Sequence, residues 1–252
     1  MVDSPPVGTS VFTTLRWDGE GRVAWLALHL ARMREHAERL RIEWPDDLQD
    51  RLASLVPDSP DGGGNLCRIH LTREGDLSAT IHQISSADSP LCAISQAAPR
   101  WSKRVQGTKH ADWSPYRDAR STALDAGADL ALLVHEGAVV DGDRCTPILL
   151  DVDGVAYASP TDDGGVDSIT LALLGPEIEA AGIPFRRAHL TETLIGRARE
   201  LIVVGTGLGA AWIDEVDGQR IGTGAAGPLF AACNEGFETL LAAAWTTLGG
   251  ES

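Results

Sequence analysis

The period of the apolar positions changes several times along the chain. Residues 8–17 carry Val11, Phe12 and Leu15 in a strand-like run, 18–21 read as a turn, and 22–26 return as a second strand. Over 28–41 the spacing turns helical: Leu30, Met33, Ala37 and Leu40 share a face, with Arg and Glu opposite. Pro45, Asp46 and Asp47 restart a helix to about Val56, and a Pro/Gly/Asp loop follows over 57–65. Residues 66–71 and 79–85 alternate as paired strands, with 90–95 as a third.

Beyond an irregular, basic stretch the pattern resumes. It predicts a helix near 115–126, strands over 130–135 and 148–152, and a hairpin turn at Asp153-Gly154 leading into 155–158. A helix over 166–181, a strand at 185–188 and a short helix at 192–199 come next. Strands over 201–204 and 211–215, a turn at Asp217-Gly218 and a closing helix over 228–248 complete the reading. The expectation is a mixed α/β (α+β) protein of two domains, residues 1–96 and 109–252, joined by a linker over 97–108.

The 252 residues suffice for real cores, and 43% apolar content fits a globular chain. A net charge of −15 repels phosphate backbones and anionic lipid, so nucleic acid and membrane surfaces are poor partners. Residues 1–10 lack the basic-then-apolar pattern of a secretory signal, and no apolar run has bilayer-spanning length. Four cysteines stand far apart with no C-x-x-C pair, as expected of unpaired buried thiols in a reducing cytoplasm. Neither a metal-binding His spacing nor a G-x-S-x-G elbow occurs.

Among 21 basic residues only Lys103 and Lys109 are lysines. A guanidinium cannot form an imine, whereas a deprotonated amine can, so a lysine surviving such a bias is a candidate for chemistry. Lys109 also lies just past the linker, and domain junctions commonly hold cofactor clefts. Accidental surface lysines are the alternative. Residues 165–170 open a helix whose N–H groups, with Ser168 and Thr170, could bind phosphate, or whose Asp167 or Ser168 could be an ordinary cap. Gly205-Thr206-Gly207-Leu208-Gly209 follows a strand and suits either an anion or a tight turn; it lacks the spacing of a dinucleotide fingerprint. Arg32 reads as a solvated helix face and Asp141, before Gly142, as a turn aspartate.

In order, these pieces resemble the class IV aminotransferase family, of pyridoxal-phosphate (PLP) fold type IV and D-amino-acid aminotransferase-like architecture. It includes branched-chain and D-amino-acid aminotransferases and aminodeoxychorismate lyase. Residues 10–16, Ser-Val-Phe-Thr-Thr-Leu-Arg, resemble the family's G-x-F-E-T-x-R strand. His29-Leu30-Ala31-Arg32-Met33 resembles its H-x-x-R-L helix, and Leu71-Thr72-Arg73 a strand end bearing a substrate arginine. Thr108-Lys109-His110 resembles the Schiff-base motif, and residues 137–141 resemble G-x-V-x-E. Residues 166–170 resemble the L-x-G-I-T-R phosphate turn, 204–207 the S-G-T turn, and 222–228 the closing I-G-x-G-x-x-G-P.

The resemblance implies that PLP forms a Schiff base on Lys109, the catalytic residue. Arg32, Ser168, Ile169, Thr170, Gly205 and Thr206 would serve the cofactor, with Asp141 facing its ring nitrogen. Thr13, Arg73 and Gly207 would meet a small amino substrate. It implies a homodimer and no metal. Asp141 stands where the family has Glu, Thr146 where it has Asn, Asp167-Ser168 for Pro-Gly, and Leu171 for Arg. Phe12-Thr13-Thr14 and Lys109-His110 resemble the lyase branch, which implies conversion of 4-amino-4-deoxychorismate to 4-aminobenzoate and pyruvate. An amino-acid aminotransferase and a catalytically degenerate ligand-binding homologue are the alternatives.

Overall fold

The computed structural model describes residues 7–55, 65–84 and 90–248. Of the loop expected over 57–65, residues 57–64 lie outside them, and Asn65 instead opens a strand. In chain order the elements are β1 (Ser10–Trp17), β2 (Arg22–Ala24), α1 (Leu26–Leu40), α2 (Leu48–Leu55), β3 (Asn65–Thr72), β4 (Leu77–Gln83), β5 (Leu91–Ala97) and α3 (Ser114–Asp125). Next come β6 (Leu130–His135), β7 (Ala138–Gly142), β8 (Thr146–Asp151), β9 (Ala156–Ala158), α4 (Ile169–Ala180), β10 (Phe185–Arg187) and β11 (Leu190–Thr191). The last are α5 (Glu192–Gly196), β12 (Ala198–Gly205), β13 (Gly209–Val216), β14 (Gln219–Arg220), α6 (Pro228–Ala242) and β15 (Trp245–Thr247).

The chain divides into two compact units. The first comprises Met1–Ser85, Trp101–Trp113 and Leu241–Ser252; the second, Ser86–Arg100 and Ser114–Leu240. This boundary differs from the one expected at 97–108. β5 leaves the first half to pair in parallel with β6 and β13, while 101–113 returns to β1.

The first unit is an antiparallel sheet in the order β15-β2-β1-β3-β4. β3 alternates strictly: Cys67, Ile69 and Leu71 are buried, whereas Leu66, Arg68 and His70 are half-buried. Its register sets Val11 opposite Leu71 and Leu15 opposite Cys67, so the apolar sides of β1 and β3 form one surface. α1 buries Leu26, Met33, Ala37 and Leu40 in the same cluster. The helix stops at Arg41, whose φ of 57° is left-handed. Arg73 then donates to the carbonyls of Leu40 (2.9 Å), Arg41 (3.1 Å) and Gly8 (2.6 Å). The closing helix ends at Ala242 rather than 248, because Trp245–Thr247, rich in strand-forming side chains, pair with β2 instead.

The second unit is built on a sheet in the order β10-β9-β8-β12-β13-β5-β6-β7-β11, with β14 paired to β13. β8 and β12 are buried along most of their length, which accounts for near-continuous apolar runs such as Leu201–Val204. Asp141 lies within β7, not in a turn. At the start of α6 the buried Glu200 carboxylate accepts from the N–H groups of Gly227 (2.9 Å), Leu229 (2.9 Å) and Phe230 (2.8 Å). An anion there satisfies donors that a helix start leaves without acceptors. Cys67, Cys145 and Cys233 are buried free thiols, and Cys92 is half-buried. Among the described residues no helix is long and apolar enough to cross a membrane.

Glu200→Ala should lower unfolding stability by about 2–4 kcal/mol, because three N–H groups at the start of a helix, that of Leu229 buried, lose a charged acceptor. Denaturant titration checks this; a loss under about 0.5 kcal/mol, the usual surface value, would contradict it.

Candidate active site

The residues singled out in the sequence fall into one set on each unit. In the first unit, residues 109–111 run alongside the start of β1: Phe12 N donates to Lys109 O (3.1 Å) and Ala111 N to Ser10 O (3.1 Å). The Lys109 N–H donates to His36 Nδ1 at 3.2 Å. Lys109 is therefore held by its own main chain to a strand on one side and a helix on the other. Its Nζ lies 5.2 Å from the Phe12 ring centroid and 4.8 Å from that of Trp113. These two rings meet edge to face at 5.1 Å, and their electron-rich faces attract an ammonium group.

Arg32 is half-buried beside the apolar stripe of α1, and its Nη2 donates to the Thr13 hydroxyl at 3.1 Å. It does not stand on a solvated face. The same hydroxyl lies 2.8 Å from His29 Nδ1, and both Thr13 and His29 are fully buried. Burial, followed by the charges of Arg32 and Lys109, holds His29 well below the ordinary imidazole range. Burial, with Arg32, Arg39, Lys109 and His110 behind it, pushes His36 down to about 3. Both imidazoles are therefore neutral at physiological pH, among cations they do not neutralise. Arg73 belongs to the same unit, but its guanidinium is engaged by the backbone carbonyls that end α1.

In the second unit Asp141 is buried. Its Oδ1 accepts from Gly142 N (3.0 Å), and its Oδ2 from Val166 N (3.0 Å) and the Tyr116 hydroxyl (3.3 Å). Burial first, then the charge and hydrogen bond of Asp141, raises Tyr116 well above the ordinary phenol range and keeps it a donor. Gly165 lies so close to the Val140 carbonyl that a Cβ there would collide with it. A glycine is thus what lets the chain lead from β7 to the start of α4. Ser168 caps that helix, its Oγ accepting from Leu171 N at 3.2 Å. One N–H of the helix start goes to Ser168, and those of Ile169 and Thr170 open the helix. Gly205 ends β12 against the Arg144 carbonyl, and Thr206 and Gly207 form the half-buried turn into β13.

Three contributors escaped the sequence reading. His36 was hidden because its spacing from Arg32 reads as ordinary helix. Tyr116 and Glu200 carry no motif of their own, and only the packed strands bring them to Asp141 and to α6.

Residues 10–216 match the family model described as amino-transferase class IV. The chain belongs to the class IV aminotransferase family. Enzymes of this family depend on PLP. A crystal structure provisionally described as a 4-amino-4-deoxychorismate lyase is 26% identical, with a TM-score of 0.76 over 94% of this chain and 91% of that one. The branched-chain aminotransferase of Thermoproteus uzoniensis, solved with norvaline, superposes with a TM-score of 0.81 at 20% identity, covering 96% and 90% of the two chains; it shows the shared fold. The D-alanine aminotransferase of Staphylococcus haemolyticus is 27% identical over 103 residues, 41% of this chain but only 36% of that relative's length.

The residues of this class IV chain fit the family cofactor by their chemistry. Arg32 and the opening of α4 are donors of the kind a phosphate takes. Asp141 is a carboxylate, the kind of group that accepts from a ring N–H, and Gly142 N, Val166 N and the Tyr116 hydroxyl hold it in place.

The two depressed histidines set a pH dependence. Their folded values lie below the unfolded value of 6.5, so their stabilisation is complete above that pH and is lost as pH falls. Between pH 6.5 and 5 His36 alone should remove about 1.6 kcal/mol of unfolding free energy, and His29 acts in the same direction. The melting temperature should therefore drop over this interval, and His36→Asn should flatten the slope. A melting temperature constant from pH 7 to 5 would contradict the assignment.

Proposed function

We propose that this class IV enzyme is a lyase of the aminodeoxychorismate type, releasing pyruvate from 4-amino-4-deoxychorismate to leave 4-aminobenzoate. One observation carries the reading: the hydroxyl of Thr13, where the aminotransferase motif has Glu, is the group beside Arg32. A carboxylate there would neutralise the guanidinium. A hydroxyl brings no negative charge of its own to this position, which suits a substrate that itself carries two carboxylates. The likeness to the lyase-described structure supports the same choice.

In this proposal Lys109 holds PLP covalently, and Arg32, Ser168, Ile169, Thr170, Gly205 and Thr206 serve its phosphate. Asp141 takes the ring N–H. When bound, the cofactor supplies an electron sink for the bond broken next to the substrate nitrogen. Lys109 Nζ would serve as the base for the proton on that carbon. Tyr116, Gly142 and Val166 hold Asp141 in orientation through hydrogen bonds to its two oxygens. Thr13 and Gly207 contact substrate, and Arg73 contributes by bracing the end of α1. The proposal includes a homodimer in a reducing cytoplasm, where the free thiols persist.

An aminotransferase is the second reading, favoured by the D-alanine aminotransferase matches. Product analysis separates the two. The lyase should release pyruvate and 4-aminobenzoate from PLP-loaded enzyme without any 2-oxo acid, and Lys109→Ala should lose this activity. Turnover only with an added 2-oxo acid acceptor would overturn the lyase reading in favour of the second.

A further inference from the structure

One face of α1 carries His29, Arg32 and His36, and its last imidazole reaches the main chain of Lys109 itself. A lysine side chain is long and flexible, so the location of its amine depends first on where the backbone fixes its Cα. For Lys109 that backbone has two tethers: its carbonyl receives Phe12 N–H from β1, and its N–H is given to His36 Nδ1. The rings of Phe12 and Trp113 then flank the amine at 5.2 and 4.8 Å. We infer that His36 is a positioning residue for Lys109, a neutral acceptor that ties the amine-bearing residue to the helix that presents Arg32. This rests on the reading of Lys109 as the cofactor-bearing residue.

The residue type suits the task. An imidazole accepts at Nδ1 only when that nitrogen is unprotonated, which places the proton on Nε2. His36 is 2% exposed and lies near Arg32, Arg39, Lys109 and His110, surroundings that disfavour a second proton. Aspartate could accept the same N–H, but its charge would stabilise the ammonium form of the amine that must react. Leucine would fill the space and accept nothing. Asparagine is the informative substitute, since its Oδ1 can stand close to the Nδ1 position without adding charge.

The test compares wild type, His36→Leu and His36→Asn, each loaded with PLP. Borohydride fixation with peptide mapping first asks whether wild-type Lys109 holds the cofactor at all. The pH midpoint of the lysine-bound visible absorbance and the PLP dissociation constant are then measured. His36→Leu should shift the midpoint and weaken PLP binding by about tenfold, the worth of one ordinary hydrogen bond. His36→Asn should restore both to within about twofold, a difference well below that bond's worth. A purely structural role would lower melting temperature in both variants and leave the midpoint unmoved, which would overturn the inference. No cofactor on wild-type Lys109 would defeat the functional reading alone, because exchange of the Lys109 amide is read separately. That amide should be protected in wild type and His36→Asn and exposed in His36→Leu; equal exchange in all three would overturn the positioning role. If His36→Leu does not fold, nitrogen NMR of wild type decides: an unprotonated Nδ1 on His36 supports the inference and a protonated one defeats it.

Discussion

The site in the first unit depends on the main-chain anchoring of one lysine. Lys109 gives its carbonyl to β1 and its N–H to α1. Strand and helix are already joined by the cluster of Val11, Leu15, Met33, Ala37 and Leu40. Core packing and site geometry are thus the same structure seen from two sides. The strand alternates, so Val11 and Leu15 pack with the core while Phe12 turns to the lysine amine, and Thr13 meets the polar members of the helix face. Because the helix returns to one face every three or four residues, His29, Arg32 and His36 line up beside the buried stripe.

Electrostatics sharpens this picture. The chain has a net charge of −15, yet the named groups around Lys109 are arginines, neutral histidines and a threonine hydroxyl. Burial keeps the histidines uncharged, and the hydroxyl of Thr13 accepts from Arg32. The second unit has the opposite arrangement: a buried carboxylic side chain, Asp141, held by two backbone N–H groups and a phenol.

Much of this was legible in the sequence because it follows from period and from rare residues. The alternation of β3, the helical stripe of α1 and the apolar run of β6 each stand in the structure near the positions their patterns predicted. Lys109 was conspicuous because lysine is scarce. What the pattern could not show were partnerships across distant segments. Trp245–Thr247 read as the tail of a helix because pairing with β2 is a long-range choice. β5 read as a neighbour of β4 in sequence, but its hydrogen bonds run to β6 and β13. Arg73 matched a motif, whereas its role in bracing α1 depends on where the helix ends. His36 and Tyr116 gain meaning only from the groups they touch.

The most direct test is a crystal structure grown with PLP. The account predicts a continuous covalent link from Lys109 Nζ to the cofactor, with Arg32 at the phosphate and Asp141 at the ring nitrogen. A cofactor bound elsewhere, with the Lys109 amine directed to solvent and Asp141 unengaged, would contradict it.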